Sequence, residues 1–170
     1  MALTRLAPLT LVITFASAPA GALDITGTWS GKFTCSNFDG LTYNTVSDKK
    51  QTLYISQYGE NVSVEWVDEA NNTTVTYFTG SVIAHQNKPS SKGQVALADC
   101  STGPELNAYF SEIAKLSASV NLNTGTGTLT GTSIYSIPDS PEAMKTVGQC
   151  KWNFKRVNPQ DPQVTAGCPG

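Results

Sequence analysis

The chain is poor in charged residues and in long hydrophobic runs. Lys, Arg, Asp and Glu together make up 14% of its 170 residues, against about 25% in an average domain. The formal net charge is −2, whereas a nucleic-acid-binding protein would require a basic surface. After residue 22, no apolar run approaches the roughly 18 residues that a membrane-spanning helix needs. We therefore expect neither a nucleic-acid partner nor a membrane span.

Histidine is scarce, and the cysteines are widely spaced. The chain has a single histidine, His85, in a Gln-Asn-Lys-Pro context that is typical of a loop. The cysteines are Cys35, Cys100, Cys150 and Cys168, whereas zinc sites use close pairs such as Cys-x₂-Cys. The sequence contains no Gly-x-Ser-x-Gly motif, phosphate-binding loop or metal-binding helix motif. We therefore expect no metal, no cofactor and no enzymatic activity.

The first 22 residues have the pattern of a signal peptide. Arg5 precedes an apolar stretch, and small residues occupy the positions before a cleavage site near Ala22. We expect residues 1–22 to be removed, residues 23–157 to form one β domain, and residues 158–170 to be a Pro-rich tail tied by its cysteine. The predicted location is the periplasm or the exterior of the cell, where disulfides are stable.

The dominant sequence period is two. In Gly27–Cys35, apolar or small residues alternate with polar ones, which indicates a strand with one buried face. The same reasoning predicts eight strands, at 27–35, 51–58, 62–67, 74–83, 93–99, 113–122, 126–136 and 148–157. Short links between them favour an all-β fold, namely a single eight-stranded antiparallel up-and-down barrel, with a β-sandwich as the alternative.

The predicted loops differ between the two ends of such a barrel. One end has the segments 36–50, 68–73, 100–112 and 137–147, and the other has 59–61, 84–92 and 123–125. Three of the four loops at the first end are long, while two of the three at the second are tight. This asymmetry predicts an open mouth at the first end and a closed floor at the second.

The two ends of the predicted barrel resemble a known pattern. Gly27-Thr28-Trp29 opens the first strand and Arg156 lies near the end of the last, which is similar to the calycin pattern shared by lipocalins and avidins. The resemblance implies that Trp29 packs under Arg156 near the floor, where the first and last strands close the ring. The lipocalin Thr-Asp-Tyr signature is missing from the sequence, so we describe the chain as calycin-like rather than as a lipocalin or an avidin.

This closure also bears on the disulfides. In an antiparallel pair of strands, the residue numbers of directly opposite residues have a constant sum. If Trp29 faces Arg156, that sum is 185, and Cys35 and Cys150 have the same sum. This register predicts the disulfide Cys35–Cys150 at the mouth and leaves Cys100–Cys168 as the second. The competing pattern pairs Cys35 with Cys100 and Cys150 with Cys168.

The candidate ligand-binding residues are aromatic side chains that can point inward, together with one carboxylate near the mouth. They are Trp66, Tyr77, Asp99, Tyr135 and Trp152. Eight-stranded barrels either fill their interior with such side chains or hold one small ligand. In the simpler interpretation these rings form the core, and the inward small residues Gly31 and Gly131 offset them.

We carry three functional hypotheses forward. In the first, the protein is an exported binding protein that holds a small, mostly apolar ligand through the barrel mouth. In the second, it is a protein–protein interaction or protease-inhibitor module, using the strand entry Leu23–Ile25 or the segment 36–50. In the third, it is a structural envelope protein without a ligand.

Overall fold

The computed structural model describes residues 23–38, 42–69, 73–100, 111–137 and 146–164. Within these ranges the protein is all β, and no helix is long and apolar enough to cross a membrane. The eight strands are β1 (Gly27–Phe38), β2 (Tyr43–Tyr58), β3 (Asn61–Asp68), β4 (Thr73–Ala84), β5 (Lys92–Asp99), β6 (Ser111–Val120), β7 (Gly127–Ile137) and β8 (Thr146–Asn158).

Each strand pairs with the next along the chain, and the last strand pairs with the first. All pairings are antiparallel, and the pairing of β1 with β8 closes the barrel. Closure gives every strand a hydrogen-bonded neighbour on both sides, so the barrel body has no unpaired edge strand. The predicted eight-stranded barrel is confirmed, and the sandwich alternative is wrong.

The pairing of β1 with β8 has the register that the sequence predicts. Trp29 pairs with Arg156 and Cys35 pairs with Cys150, and the two cysteines form a disulfide. The competing connectivity is therefore wrong. Cys100 is buried and is not a free thiol. Cys168 lies outside the described residues, so its pairing with Cys100 stays a prediction.

The floor of the barrel is closed by the chain that enters β1. Leu23, Ile25 and Trp29 are all buried, and the Trp29 indole N–H donates a hydrogen bond to the carbonyl oxygen of Ile25 at 2.9 Å. The Arg156 guanidinium lies 5.2 Å from the centroid of the Trp29 ring and donates to the carbonyl oxygen of Asp24. This is the Trp–Arg contact that the calycin resemblance implies.

Aromatic rings fill the middle of the barrel. The Phe33 ring centroid lies 4.5 Å from that of Trp66, 4.6 Å from that of Trp152 and 5.0 Å from that of Phe154. Edge-to-face and tilted contacts at these separations are favourable for aromatic pairs. The middle level is therefore packed core, which agrees with the simpler interpretation of the rings at this level.

The segment 36–50 is not the long loop that the sequence analysis expects. β1 continues to Phe38 and β2 begins at Tyr43, so the two strands form a hairpin that extends beyond the end of β3. Residues 42–47 are exposed. The apolar alternation used to predict strands is missing here because residues 42–47 are exposed, while backbone pairing with β1 and the side-chain hydrogen bonds Thr34–Ser47 and Ser36–Thr45 keep the segment extended.

Candidate functional site

The inner face at the mouth end is where the predicted site residues meet. Trp152 and Tyr135 are buried, and Trp66 packs against the same core. Asp99 is directly opposite Phe78, a fully buried residue of the interior, so both lie on the inner face. Four of the five candidates therefore face the interior, with Tyr135 and Asp99 nearest the mouth and Trp66 and Trp152 in the aromatic level directly below.

Tyr77 is the candidate that the structure places elsewhere. Its neighbours Thr76 and Phe78 are buried, which puts Tyr77 on the outer face by the alternation of a strand. There its hydroxyl donates to Glu65 Oε1 at 3.5 Å. The expectation that Tyr77 points inward is wrong because Phe78, which pairs with the buried Val64, takes the inner face. Two adjacent aromatic residues leave the phase of β4 ambiguous in the sequence.

Glu112 is the site residue that the sequence analysis missed. It is only 3% exposed and lies directly opposite Tyr135 on the inner face. The sequence pattern assigns it to the end of a predicted loop, 100–112. It lies two residues before Ala114 and four before Leu116, which are buried on the same strand, so all three side chains point to the same face. Extending the period of two by one step would have found it.

The environment of Glu112 brings the pKa of its carboxyl close to neutral pH. The pKa of Glu112 is raised from 4.5 to about 7, chiefly by burial and to a smaller extent by the nearby carboxylate of Asp99. Hydrogen bonds from Ser133 and Trp152 act in the opposite direction. The Trp152 indole N–H also donates to Ser133 Oγ at 2.9 Å. The three side chains thus form one buried hydrogen-bonded group.

Two further polar contacts surround this group. The Thr76 hydroxyl donates to Asp99 Oδ1. Burial raises the pKa of Tyr135, and the nearby Glu112 carboxyl adds to the shift. A phenol therefore lies close to a buried carboxyl, and the protonation states of Tyr135 and Glu112 depend on one another.

Trp66 is held by a side chain from the neighbouring strand. Its indole N–H donates to Gln51 Oε1 at 2.6 Å, and Gln51 is itself buried. Gln51 Nε2 donates to Asp68 Oδ1 at 3.4 Å. The Trp66 ring is thereby fixed with its apolar face against Phe33.

A continuous row of paired residues runs around the mouth. Asn37 pairs with Gly148, Gly148 with Tyr135, and Tyr135 with Glu112. A Cβ added at Gly148 would lie 2.2 Å from Cζ of Tyr135, so the missing side chain makes room for the Tyr135 ring. Asn37 Oδ1 is buried and makes no hydrogen bond to any described residue. The row thus offers hydrogen-bond acceptors on both sides of a phenol ring.

The inward glycines below this row do not leave empty space. A Cβ at Gly31 would lie 2.8 Å from Cδ1 of Phe154, and one at Gly131 would lie 2.9 Å from Cδ2 of Leu116. The volume freed by each glycine is therefore taken by a large neighbouring side chain. This agrees with the interpretation that Gly31 and Gly131 offset the bulky residues.

The strand entry proposed as an insertion segment is not exposed. Leu23 and Ile25 are 1% and 0% exposed, and the backbone N–H of Ile25 donates to Gln57 Oε1 at 3.0 Å. A protease could reach this segment only if the floor opened. The structure therefore contradicts the availability of Leu23–Ile25 as an inhibitory segment.

Neither protein-family models nor curated proteins gave a match to this chain. The similarity to calycins therefore rests on the closed eight-stranded barrel and on the Trp29–Arg156 contact. Over the described ranges, no group of three or more His, Cys, Asp or Glu side chains is placed to hold a metal ion. The function has to be inferred from the chemistry of the mouth.

Proposed function

We propose that the protein is an exported binding protein that holds a small, mostly apolar ligand at the barrel mouth. The ligand presents a hydrogen-bond donor to Glu112. The observation that supports this is a single buried carboxyl set among the rings of Tyr135 and Trp152. Ligand sites commonly combine apolar and aromatic walls with a few polar groups, one of them with a perturbed pKa.

The polar groups at the mouth favour a ligand that donates hydrogen bonds. The carboxyls of Glu112 and Asp99 accept hydrogen bonds when ionised. Asn37 Oδ1, on the same inner row, is an acceptor without a partner among the described residues. A ligand bearing an amine or a hydroxyl would match these groups, whereas a carboxylate would be repelled.

The distribution of polarity along the barrel axis favours a ligand at the mouth rather than at the floor. The floor end is filled by Leu23, Ile25 and Trp29, and the middle by the Phe33 aromatic cluster. Of the buried polar side chains inside the barrel, Glu112, Ser133, Thr76 and Gln51 lie on strand segments nearer the mouth, whereas Arg156 lies over Trp29 at the floor and hydrogen-bonds there to the Asp24 carbonyl. Burying polar groups in a core costs stability, so their concentration at one end supports a binding role there.

The first test is native mass spectrometry of the protein purified from its own host without denaturation. We expect a species heavier than the mature chain that loses the extra mass on denaturation. A native mass equal to that of the polypeptide alone would contradict retention of a ligand through purification.

The second test measures specificity with a matched naphthalene series. Isothermal titration calorimetry at pH 8 would compare 1-naphthylmethylamine, 1-naphthylmethanol and 1-naphthoate. We expect the amine to bind tightest and the naphthoate weakest. Glu112→Gln should reduce the preference for the amine over the alcohol by at least tenfold, because it removes the charge that the ammonium group faces.

Glu60→Gln is the matched control for this experiment. Glu60 lies exposed in the turn between β2 and β3, at the floor end, so this variant should leave all three affinities unchanged. Equal binding of the amine and the naphthoate to the wild-type protein would overturn the assignment of Glu112 as the group that recognises the ligand.

A further inference from the structure

The outer surface of the barrel is not uniform in charge because, in the part of the chain that the structure describes, one side of it carries lysines and no acids. We call the outer face of β6, β7, β8 and β1 the basic wall. Its cations are Lys32, Lys115, Lys151 and Lys155, which are all exposed. Among the described residues of these four strands the one acid is Glu112, which faces inward. The basic wall is therefore positive in a chain whose formal net charge is −2.

The remaining strands carry charges of both signs, with acids grouped at β3. Glu65 and Asp68 belong to β3, and Glu69 follows directly after it, while Lys50 lies on β2 and Lys92 on β5. Glu65 accepts hydrogen bonds on the outer face from Thr74 and Tyr77. The difference in charge between the basic wall and the acids at β3 creates an electrostatic field with a preferred direction, which can orient the protein on a charged surface.

Exposed apolar side chains lie between the lysines and the mouth. Ile113 and Ile134 form a cross-strand pair, and each is more than 60% exposed. Val147 and Phe38 form another pair, on β8 and β1. Tyr43 lies opposite Phe38 on the hairpin arm and is 72% exposed. Together these five residues form the apolar edge of the basic wall.

The pairing register arranges these residues in layers. Lys115 and Lys151 both pair with Thr132, so the three residues form one row around the barrel. The row of Ile113 and Ile134 lies two residues nearer the mouth, which is about 7 Å along the strands. Val147 lies a further two residues on. On β6, β8 and β1 an exposed apolar side chain (Ile113, Val147 and Phe38) therefore lies nearer the mouth than any lysine of the same strand.

We propose that the basic wall, with its apolar edge, binds the surface of an anionic lipid bilayer, with the barrel mouth toward the membrane. Interfacial proteins bury apolar side chains by about 5–10 Å at the boundary between headgroups and acyl chains. Their Lys side chains reach back to the lipid phosphates. The layered order of the apolar edge and the lysines matches this arrangement. An acidic protein partner would need the charge of the wall but not its apolar edge.

This proposal is independent of the ligand proposed above, since all the residues involved lie on the outer face. The test uses the full mature chain, with its disulfides intact, in flotation with liposomes. One set of vesicles contains phosphatidylcholine with 30% phosphatidylglycerol and the other contains phosphatidylcholine alone. We expect at least tenfold stronger partitioning onto the anionic vesicles at 0.1 M salt, and loss of most of that difference at 1 M salt.

Two pairs of variants separate charge from apolar contact. Lys115→Gln/Lys151→Gln should weaken binding to the anionic vesicles about tenfold or more, because each lysine near an anionic surface contributes about fivefold. Its control is Lys88→Gln/Lys92→Gln, which removes the same charge from exposed positions outside the wall. Ile113→Ser/Ile134→Ser should also weaken binding, whereas Ile83→Ser changes an equally exposed isoleucine of β4 and should not.

Three results would overturn the proposal. One is equal partitioning onto both kinds of vesicle, and another is an equal loss of binding in the lysine variant and its control. The third is binding to soluble poly-glutamate in the absence of binding to vesicles, which would identify an acidic macromolecule as the partner of the basic wall.

Discussion

The Trp152 indole N–H donates a 2.9 Å hydrogen bond to Ser133 Oγ inside the barrel. Both side chains also hydrogen-bond to the buried carboxyl of Glu112. The contact links β7 and β8 to β6 through side chains as well as through the backbone. It means that the protonation of Glu112, the packing of Trp152 and the stability of the barrel are coupled, and the first two predictions follow from this coupling.

Glu112 should make the fold less stable as the pH rises. Its pKa is about 7 in the folded protein against 4.5 for the ordinary group. Between these values the folded state binds more protons than the unfolded state, so the free energy of unfolding falls as the pH rises from about 4.5 to 7. The loss amounts to about 3 kcal/mol. Glu112→Gln should therefore gain stability over wild type by that amount at pH 8, and little near pH 4.5, in urea unfolding.

The control for this prediction is Glu60→Gln, an exposed turn residue, which should change stability equally at both pH values. A stability difference between wild type and Glu112→Gln that is the same at pH 4.5 and pH 8 would show that Glu112 ionises normally in the folded state.

Ser133→Ala should shift the titration of Glu112 further upward. The hydroxyl hydrogen-bonds to the carboxyl and favours its charged form, so its removal should raise the pKa of Glu112 above that in wild type. The variant also removes the acceptor of the 2.9 Å hydrogen bond from the Trp152 N–H, which should cost about 1–3 kcal/mol of stability. The side-chain carboxyl ¹³C shift of Glu112 reports the titration. Ser117→Ala on the outer face of β6 is the control, and no upward shift in Ser133→Ala would contradict the coupling.

Removing the disulfide Cys35–Cys150 should destabilise the fold substantially. The two cysteines are separated by 115 residues, and closing a loop of that size in the unfolded chain contributes about 4–5 kcal/mol in the chain-entropy treatment. We expect Cys35→Ala/Cys150→Ala to lose about 4 kcal/mol in urea unfolding. A loss below about 1 kcal/mol would mean that strand pairing between β1 and β8 restricts the chain sufficiently without the bond.

The floor contact between Trp29 and Arg156 can be measured by a double-mutant cycle. Trp29→Leu, Arg156→Met and the double variant, compared by thermal or urea unfolding, should give a coupling of about 0.5–2 kcal/mol. Trp29→Ala should cost about 3–5 kcal/mol, because the ring is completely buried. A coupling indistinguishable from zero would show that the guanidinium lies near the ring without stabilising it.

Much of the architecture could be read from residue alternation. The alternation of apolar and polar residues in Gly27–Cys35 and around Trp152 defines the first and last strands. The residue numbers of Trp29 and Arg156, like those of Cys35 and Cys150, sum to 185, which gives the register in which these two strands pair. A strand period of two is a local property, so it is visible without the fold. The same period would have placed Glu112 inside, had it been extended one step beyond Ala114.

The tertiary structure decided three features that local sequence could not. Tyr77 faces outward because Phe78, opposite the buried Val64, takes the inner face, and two adjacent aromatic residues do not show locally which of them is inside. The hairpin arm after Cys35 is extended although residues 42–47 are exposed and no buried face marks them as a strand. Above all, the pKa of Glu112 near neutrality arises from burial beside Asp99, Ser133 and Trp152. The sequence by itself determined which strands exist, while only barrel closure brought residues from β5, β6, β7 and β8 within reach of one carboxyl.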